Sequence, residues 1–418
     1  MKHLPILIAL LVLTPLFSQT EKEKVEATVS KSDIEGHIYF LADDLLKGRE
    51  TGTPENKIAA SYLANTLRRY GVKPNPATNS YYQTVPMQEV TPPSRFTLSI
   101  DGTEYKNKVV LQTSKMQFTG KAVYVGYGLE DDYKGKNVKE KIVLVQAGGP
   151  NAKDARAAFG LREKKADLAK KAGAIGIIEF IKAAPQMWSY IDHNFNSKRL
   201  EIAETVNQAS KKDAFAYVWI QDENGSYANA LSNKNEIPIN MMMEGENRVK
   251  VTSQNVVGIV EGTDPKLKNE YIIYSAHYDH VGIGQPDKSG DTIYNGARDN
   301  AVGVTTVLSM AENMAKYPTK RSALFILFTG EEKGLLGSEY YVDNPIIPLN
   351  QMVYCFNSDN GGYNDTSVAT IVGLTRTTAQ ENIEKAASTF GLKANEDPEP
   401  KNDLFNRSDN VHFAKKGI

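Results

Sequence analysis

The sequence predicts an α/β protein: a mixed, largely parallel sheet flanked by helices, with a smaller α/β module inserted into it. Three observations lead there. From about Gln254, apolar runs alternate with helix-length patterns: "NVVGIVEG", "YIIYSAH", "DNAVGVTTVLSMAENMAKY", "ALFILFTGEE" and "MVYCFNSDN". Strands apolar throughout are buried on both faces, and such strands with helices between them belong to a sheet that is at least partly parallel. From about Arg95 to Gly245 the texture is different, with short β patterns around one charged helix. Finally, 418 residues exceed one typical domain.

Each element has its own signal. Leu4 to Phe17 is almost wholly apolar after the positive start Met1-Lys2-His3. A run of about 14 is short for a membrane span and fits a signal peptide over 1–19, with an uncleaved anchor as the plainer alternative. From Ser32 to Gly71 the pattern is helical. Thr53-Pro54-Glu55 reads as N-cap, first-turn proline and first-turn acid, and Gly71 is placed to end the helix. Residues 20–94 are therefore expected to open the main domain. In the module expected over 95–248, Asp101-Gly102 is a hairpin signal. "KAVYVGYG" and "KIVLVQAGG" are buried-strand candidates there. "LREKKADLAKKAGAIGIIEFI" reads as a charged surface helix, a stop at Gly173 and a strand. The module's acids and bases are scattered without clustered His or Cys, which reads as a solvated surface. Residues 249–418 return to the main domain. In its helix, Ala301, Val304, Leu308, Ala311 and Ala315 keep an apolar stripe.

Composition excludes some functions. At 41% hydrophobic and 24% charged residues the chain is an ordinary globular protein, and a net charge of −1 supplies no basic footprint for nucleic acid. Cys355 is the only cysteine, so no intrachain disulfide can form, and within its apolar run it reads as a small buried hydrophobe.

Function in such sheets gathers beyond the carboxyl ends of the strands. Those ends carry one kind of residue here. "YIIYSAHYDHVG" ends in His277, Asp279 and His280, "NGARDNAVG" puts Asp299 before a helix, "LFILFTGEE" ends in Glu331 and Glu332, and "MVYCFNSDNGG" ends in Asp359. Taken singly, each has a plainer reading as a strand-end histidine, a helix N-cap, a solvated loop or a turn residue. Four successive strand ends doing this together do not. Imidazole and carboxylates without thiolates suit zinc and, less specifically, cobalt or manganese. Several carboxylates against one histidine repel unless cations sit among them, and a two-metal site with a bridging carboxylate resolves that.

"AHYDHVG", "NGARDNAVG", "FTGEEKGLLGS" and "NSDN", in this order, resemble the di-zinc aminopeptidase family that includes bacterial leucyl aminopeptidases, glutamate carboxypeptidase II and the transferrin receptor. "FLADDLLKGRETGTPENKIAASYL" is similar to its opening segment. "KIVLVQAGGP" and "AKKAGAIGIIEF" resemble a protease-associated domain. The resemblance implies a zinc exopeptidase fold carrying an inserted protease-associated domain, two zinc ions and peptide substrates. It implies His277 and Asp359 on one zinc, Glu332 on the other, Asp299 bridging through a cis peptide to Asn300, Glu331 as general base, and Asp279 orienting the His277 ring. His280 has no metal in that pattern and reads as a site-wall residue. Glutaminyl cyclization and a non-catalytic binding role are the competing functions; the paired Glu331 and Glu332 argue against the second.

The resemblance breaks near Ile418. "FNRSDNVHFAKKGI" matches a segment where the family often has Ser-Asp-His, but Asn410 follows Asp409 and the histidine comes at His412. The family's last zinc-binding histidine lies downstream of this segment. The expectation is a C-terminally truncated chain that keeps its first zinc better than its second, has an uncovered sheet edge and turns over little. His412 is expected to line the site or support it rather than replace the missing ligand.

Overall fold

The structure, a computed structural model, describes residues 19–112, 115–203, 215–361 and 365–418. The expected signal peptide therefore lies almost wholly outside the described residues. Among the described residues, no helix is long and apolar enough to cross a membrane. The chain divides into two compact units, one formed by the residues up to Val85 with Ser253–Ile418, the other by Pro86–Thr252.

The first unit holds helices α1 (Lys31–Leu41) and α2 (Pro54–Arg69) and the start of strand β1 (Tyr82–Thr91). It continues with the end of β2 (Asn247–Val260), β3 (Tyr271–His277), α3 (Val302–Lys316), β4 (Ser322–Phe328), α4 (Leu336–Asp343), β5 (Met352–Asn357) and α5 (Asn410–Lys415). The sheet order is β5-β3-β4-β2-β1. β3 runs parallel to both β4 and β5, and β2 is antiparallel to β4. This is a mixed sheet, parallel across β5, β3 and β4 as the apolar runs imply and antiparallel from β4 to β2.

Local chemistry sets the helices as read. Thr53 caps α2 by accepting the Asn56 amide at 3.2 Å, Pro54 occupies the first turn, and Gly71 follows the helix at φ 83°. The alternation along β4 decides the layering. Phe325 and Leu327 join Leu63, Leu67, Val304 and Leu308 on one face, while Leu324, Ile326 and Phe328 join Tyr341 and Phe413 on the other. Each such side chain removed from water contributes about 1.5–3 kcal/mol, so this central strand is held from both sides.

In the second unit, Met116–Tyr124, Ile142–Gln146, Gly176–Ile181 and Ala216–Gln221 run parallel to one another in that order. Asp101 and Gly102 both take positive φ and turn the strand Phe96–Ile100 back on itself. The solvated reading of this unit's charges fails at three positions. Lys165 and Glu179 are fully buried, and Asp222 nearly so. Lys165 lies on the inward face of the helix Ala155–Lys171, seven residues after buried Ala158 and beside Ala166. Its ammonium contacts Glu179 and donates to the Gln146 carbonyl at 3.0 Å. Glu179 also accepts from the Tyr217 hydroxyl at 2.7 Å, the Trp219 indole at 2.8 Å and the Gly148 amide at 3.1 Å. Lys165 and Glu179 survive burial because they are paired and hydrogen-bonded, and Asp222 because it accepts the Tyr227 and Ala228 amides at 3.2 and 2.9 Å.

Candidate metal centre

Strand register brings the candidate residues to one level. His277, the last residue of β3, pairs with Phe328, the last of β4, and Ser275 pairs with Asn357, the last of β5. The three parallel strands therefore end within two residues of one another, and the residues just beyond them share one end of the sheet. Asp299 arrives from the irregular turn Ala297–Ala301 that leads into α3, and its peptide bond to Asn300 is cis.

His277 is the hub. It is 1% exposed, and its Nε2 lies 3.1 Å from Asp299, 3.3 Å from Asp359 and 4.0 Å from Glu331. The other ring nitrogen, Nδ1, faces the backbone carbonyl of Asp279 at 3.2 Å and its carboxylate at 3.7 Å. One nitrogen is thus held from behind while the other faces the carboxylates, which is how a metal-binding imidazole is oriented. Asp279 does more than sequence reasoning asks of it. Its carboxylate accepts from the Thr51 hydroxyl at 2.8 Å and from the Glu331 and Glu332 amides at 3.3 and 3.4 Å. It therefore also fixes the turn that carries both glutamates.

The remaining carboxylates are positioned by short hydrogen-bond chains. Ser275 donates to Asn357 at 2.7 Å, Asn357 donates to Ser408 at 2.7 Å, and Ser408 donates to Asp359 at 2.5 Å. Asn300 ties the Asp299 turn to the Asp359 turn, donating to the Ser358 carbonyl at 2.9 Å and accepting from the Asn360 amide at 3.1 Å. A Cβ on Gly303 would meet the Asn300 side-chain oxygen at 2.2 Å, so this close approach requires glycine.

Among the described residues, two sets of three side chains bring their ligand atoms within 4.8 Å of one another: His277, Glu331 and Asp359, and His280, Asp299 and Glu332. Sequence reasoning set His280 aside as a wall residue, yet its Nδ1 lies 2.5 Å from Glu332. The distance between "AHYDH" and "GEE" in the chain hides that meeting, and only the β3–β4 register reveals it. His412 belongs to neither set. It is half-buried on α5, with Asp343, Lys415 and Lys416 as its charged neighbours.

The electrostatics show how crowded the carboxylates are. Burial opposes charge on His277, but hydrogen bonds to Asp279, Asp299 and Asp359 outweigh it and raise its pKa well above the usual imidazole value. The His277 bond holds Asp299 low. Burial, with Asp409, Asp359 and Asp279 nearby, pushes Glu331 up to about 9, although His277 pulls the other way. Asp409, which sequence reasoning gave no role, is fully buried, neither carboxylate oxygen has a hydrogen-bond partner among the described residues, and burial raises its pKa to about 7. Nitrogen and oxygen donors converging with excess negative charge fit divalent cations that accept such ligands.

Residues 255–418 match the sequence profile of Peptidase family M28. All four motifs singled out in the sequence lie within this matched segment. The chain is 27% identical over 322 residues to the aminopeptidase YwaD of Bacillus subtilis, covering 74% of this chain and 57% of that protein. It is 26% identical to a probable leucine aminopeptidase 2 of Aspergillus oryzae, over 59% of this chain and 43% of that one. The chain thus spans about half the length of these curated relatives. Its fold is that of the aminopeptidase from Aneurinibacillus sp. strain AM-1, with a TM-score of 0.60 at 23% identity, over 95% of this chain and 85% of that one.

Proposed function

We propose that this chain is a zinc-dependent exopeptidase of family M28, acting as an aminopeptidase on peptides. The observation that carries the reading is the meeting of His277, Asp299, Glu331 and Asp359 with His280 and Glu332 beyond three level strand ends. His277 and Asp359 would hold one zinc, Glu332 and His280 a second, with Asp299 between them. Zinc in such a site polarises a carbonyl and lowers the pKa of water. The chain's own residues supply the rest. Cations held by the neighbouring ligands would offset the burial and nearby carboxylates that hold the Glu331 pKa up; ionised, Glu331, on the His277 side of the cluster, accepts a proton from the attacking water and returns it to the departing amine. Asp279 holds the His277 ring and, through two backbone amides, the angle of the Glu331-Glu332 turn. The names of the relatives above support the aminopeptidase reading, and the donor chemistry supports zinc.

Turnover of amino-acid p-nitroanilides, but not of their N-blocked analogues, is the expected result with zinc present. Equal turnover of the blocked substrates would overturn the aminopeptidase assignment. His277→Ala and Asp359→Ala are expected each to remove the same metal equivalent, read by native mass spectrometry. Unchanged zinc in either variant would count against this ligand set. Motif resemblance supports residues 95–248 as a protease-associated insertion, and the apolar start supports export to the periplasm or medium after cleavage near residue 19. N-terminal sequencing of the exported protein tests the cleavage.

A further inference from the structure

Arg49 stands directly behind the candidate metal centre, in the segment "GRETGT", and no step above uses it. It is 1% exposed, yet among the described residues it has no carboxylate partner within hydrogen-bond distance. Each nitrogen of its guanidinium donates to a backbone carbonyl, four bonds in all. Nε donates to Tyr278 at 2.8 Å, Nη1 to Leu41 and to Asn295 at 2.6 Å, and Nη2 to Gly296 at 3.0 Å. Tyr278 sits between His277 and Asp279, and Gly296 lies three residues before Asp299. One planar fork therefore ties together the two segments that supply four of the site's side chains. Its own carbonyl accepts from the Asn56 side chain at 3.1 Å and from the His280 amide at 3.4 Å.

The local backbone is built for this contact. Lys47, Gly48 and Arg49 take positive φ values of 43°, 70° and 52° in succession. A Cβ on Gly48 would meet the carbonyls of Tyr294 and Gly282 at 2.5 and 2.7 Å. A Cβ on Gly296 would meet the Asp299 carbonyl at 2.5 Å, Arg49 Nη2 at 2.7 Å and the His280 ring at 2.7 Å. Arg49, His280 and Asp299 thus close on one another only because Gly296 leaves room. The guanidinium also faces Asp279, Asp299 and Glu332 electrostatically.

We propose that Arg49 is a positioning residue for the metal centre, clamping the Tyr278 and Asn295-Gly296 carbonyls so that Asp299 and His280 converge on one cation. A lysine keeps the charge but not the fork, so it cannot reach four carbonyls at once. The proposal rests on the zinc reading of the site, and the test separates the two. Zinc affinity is measured by competition with a chromophoric chelator, alongside thermal unfolding, for the full chain and for Arg49→Lys, Arg49→Met and Gly296→Ala. Arg49→Lys is expected to stay folded and to lose about ten- to a hundredfold in zinc affinity, the range for residues that orient metal ligands. In the p-nitroanilide assay its kcat is expected to fall more than its KM changes, with partial recovery at high zinc. A folded Arg49→Lys that binds zinc as the parent does overturns the proposal. If neither arginine variant folds, Gly296→Ala decides: weakened zinc binding sustains the clamp, and parental affinity sinks it. A parent chain that binds no zinc removes the functional reading itself, and the Arg49 assignment with it.

Discussion

Glu331→Gln is expected to lower turnover roughly a hundred- to ten-thousandfold, the usual contribution of a positioned general base. Zinc content should stay near that of the parent. The amide matches the carboxylate in size, and the backbone bond from residue 331 to Asp279 is untouched. Only the capacity to take a proton is lost. The alternative is concrete, because Glu331 lies within ligand distance of His277 and Asp359. Were it a metal ligand instead, the variant would lose zinc and activity in proportion. Metal analysis and kcat on the same preparation tell the two apart.

The second large effect lies in the unit formed by Pro86–Thr252. Lys165→Met should destabilise that unit by about 3–5 kcal/mol, the cost of leaving one member of a buried ion pair alone. Glu179 would keep the Tyr217, Trp219 and Gly148 donors but lose its only cation within contact distance. Whole domains are stable by only about 5–15 kcal/mol, so much of the unit's margin would go. Adding Glu179→Gln should restore part of it, because an amide can be buried without a counter-charge. Urea unfolding followed by the fluorescence of Trp188 and Trp219, both within this unit, measures both variants. A loss under about 1 kcal/mol for Lys165→Met would mean that the pair behaves as a surface one.

Much of this was legible in the sequence because burial writes itself as hydrophobicity. β3 and β4 are apolar along their whole length, and their ends therefore drew notice to His277 and the Glu331-Glu332 pair. Asp299 and its cis peptide came from motif resemblance, and the structure places the residue 3.1 Å from His277. What stayed hidden were polar groups whose partners are backbone or distant in sequence. Arg49 bonds only to carbonyls, which every residue has, so no partner in the sequence points to it. Lys165 sits among Arg162, Glu163, Lys164 and Asp167, and a charge within a charged run looks solvated until the helix phase is known. His280 meets Glu332 across 52 residues of chain. Asp409 shows nothing in its sequence context that predicts a buried carboxylate without a hydrogen-bond partner.

Cys355 gives the unit formed by the residues up to Val85 and Ser253–Ile418 a built-in chemical clock. It is partly buried on β5, 3.7 Å from the Ser275 hydroxyl, and burial pushes its thiol up to about 12. The thiolate is the form that reacts, so alkylation at neutral pH should be slow while that unit is closed. Residues 86–252 contain no cysteine, and the chain has no other. An alkylating probe therefore reports openings of one unit alone, with no mutation and no spectroscopic label. Its rate with and without zinc would read how far metal binding suppresses those openings.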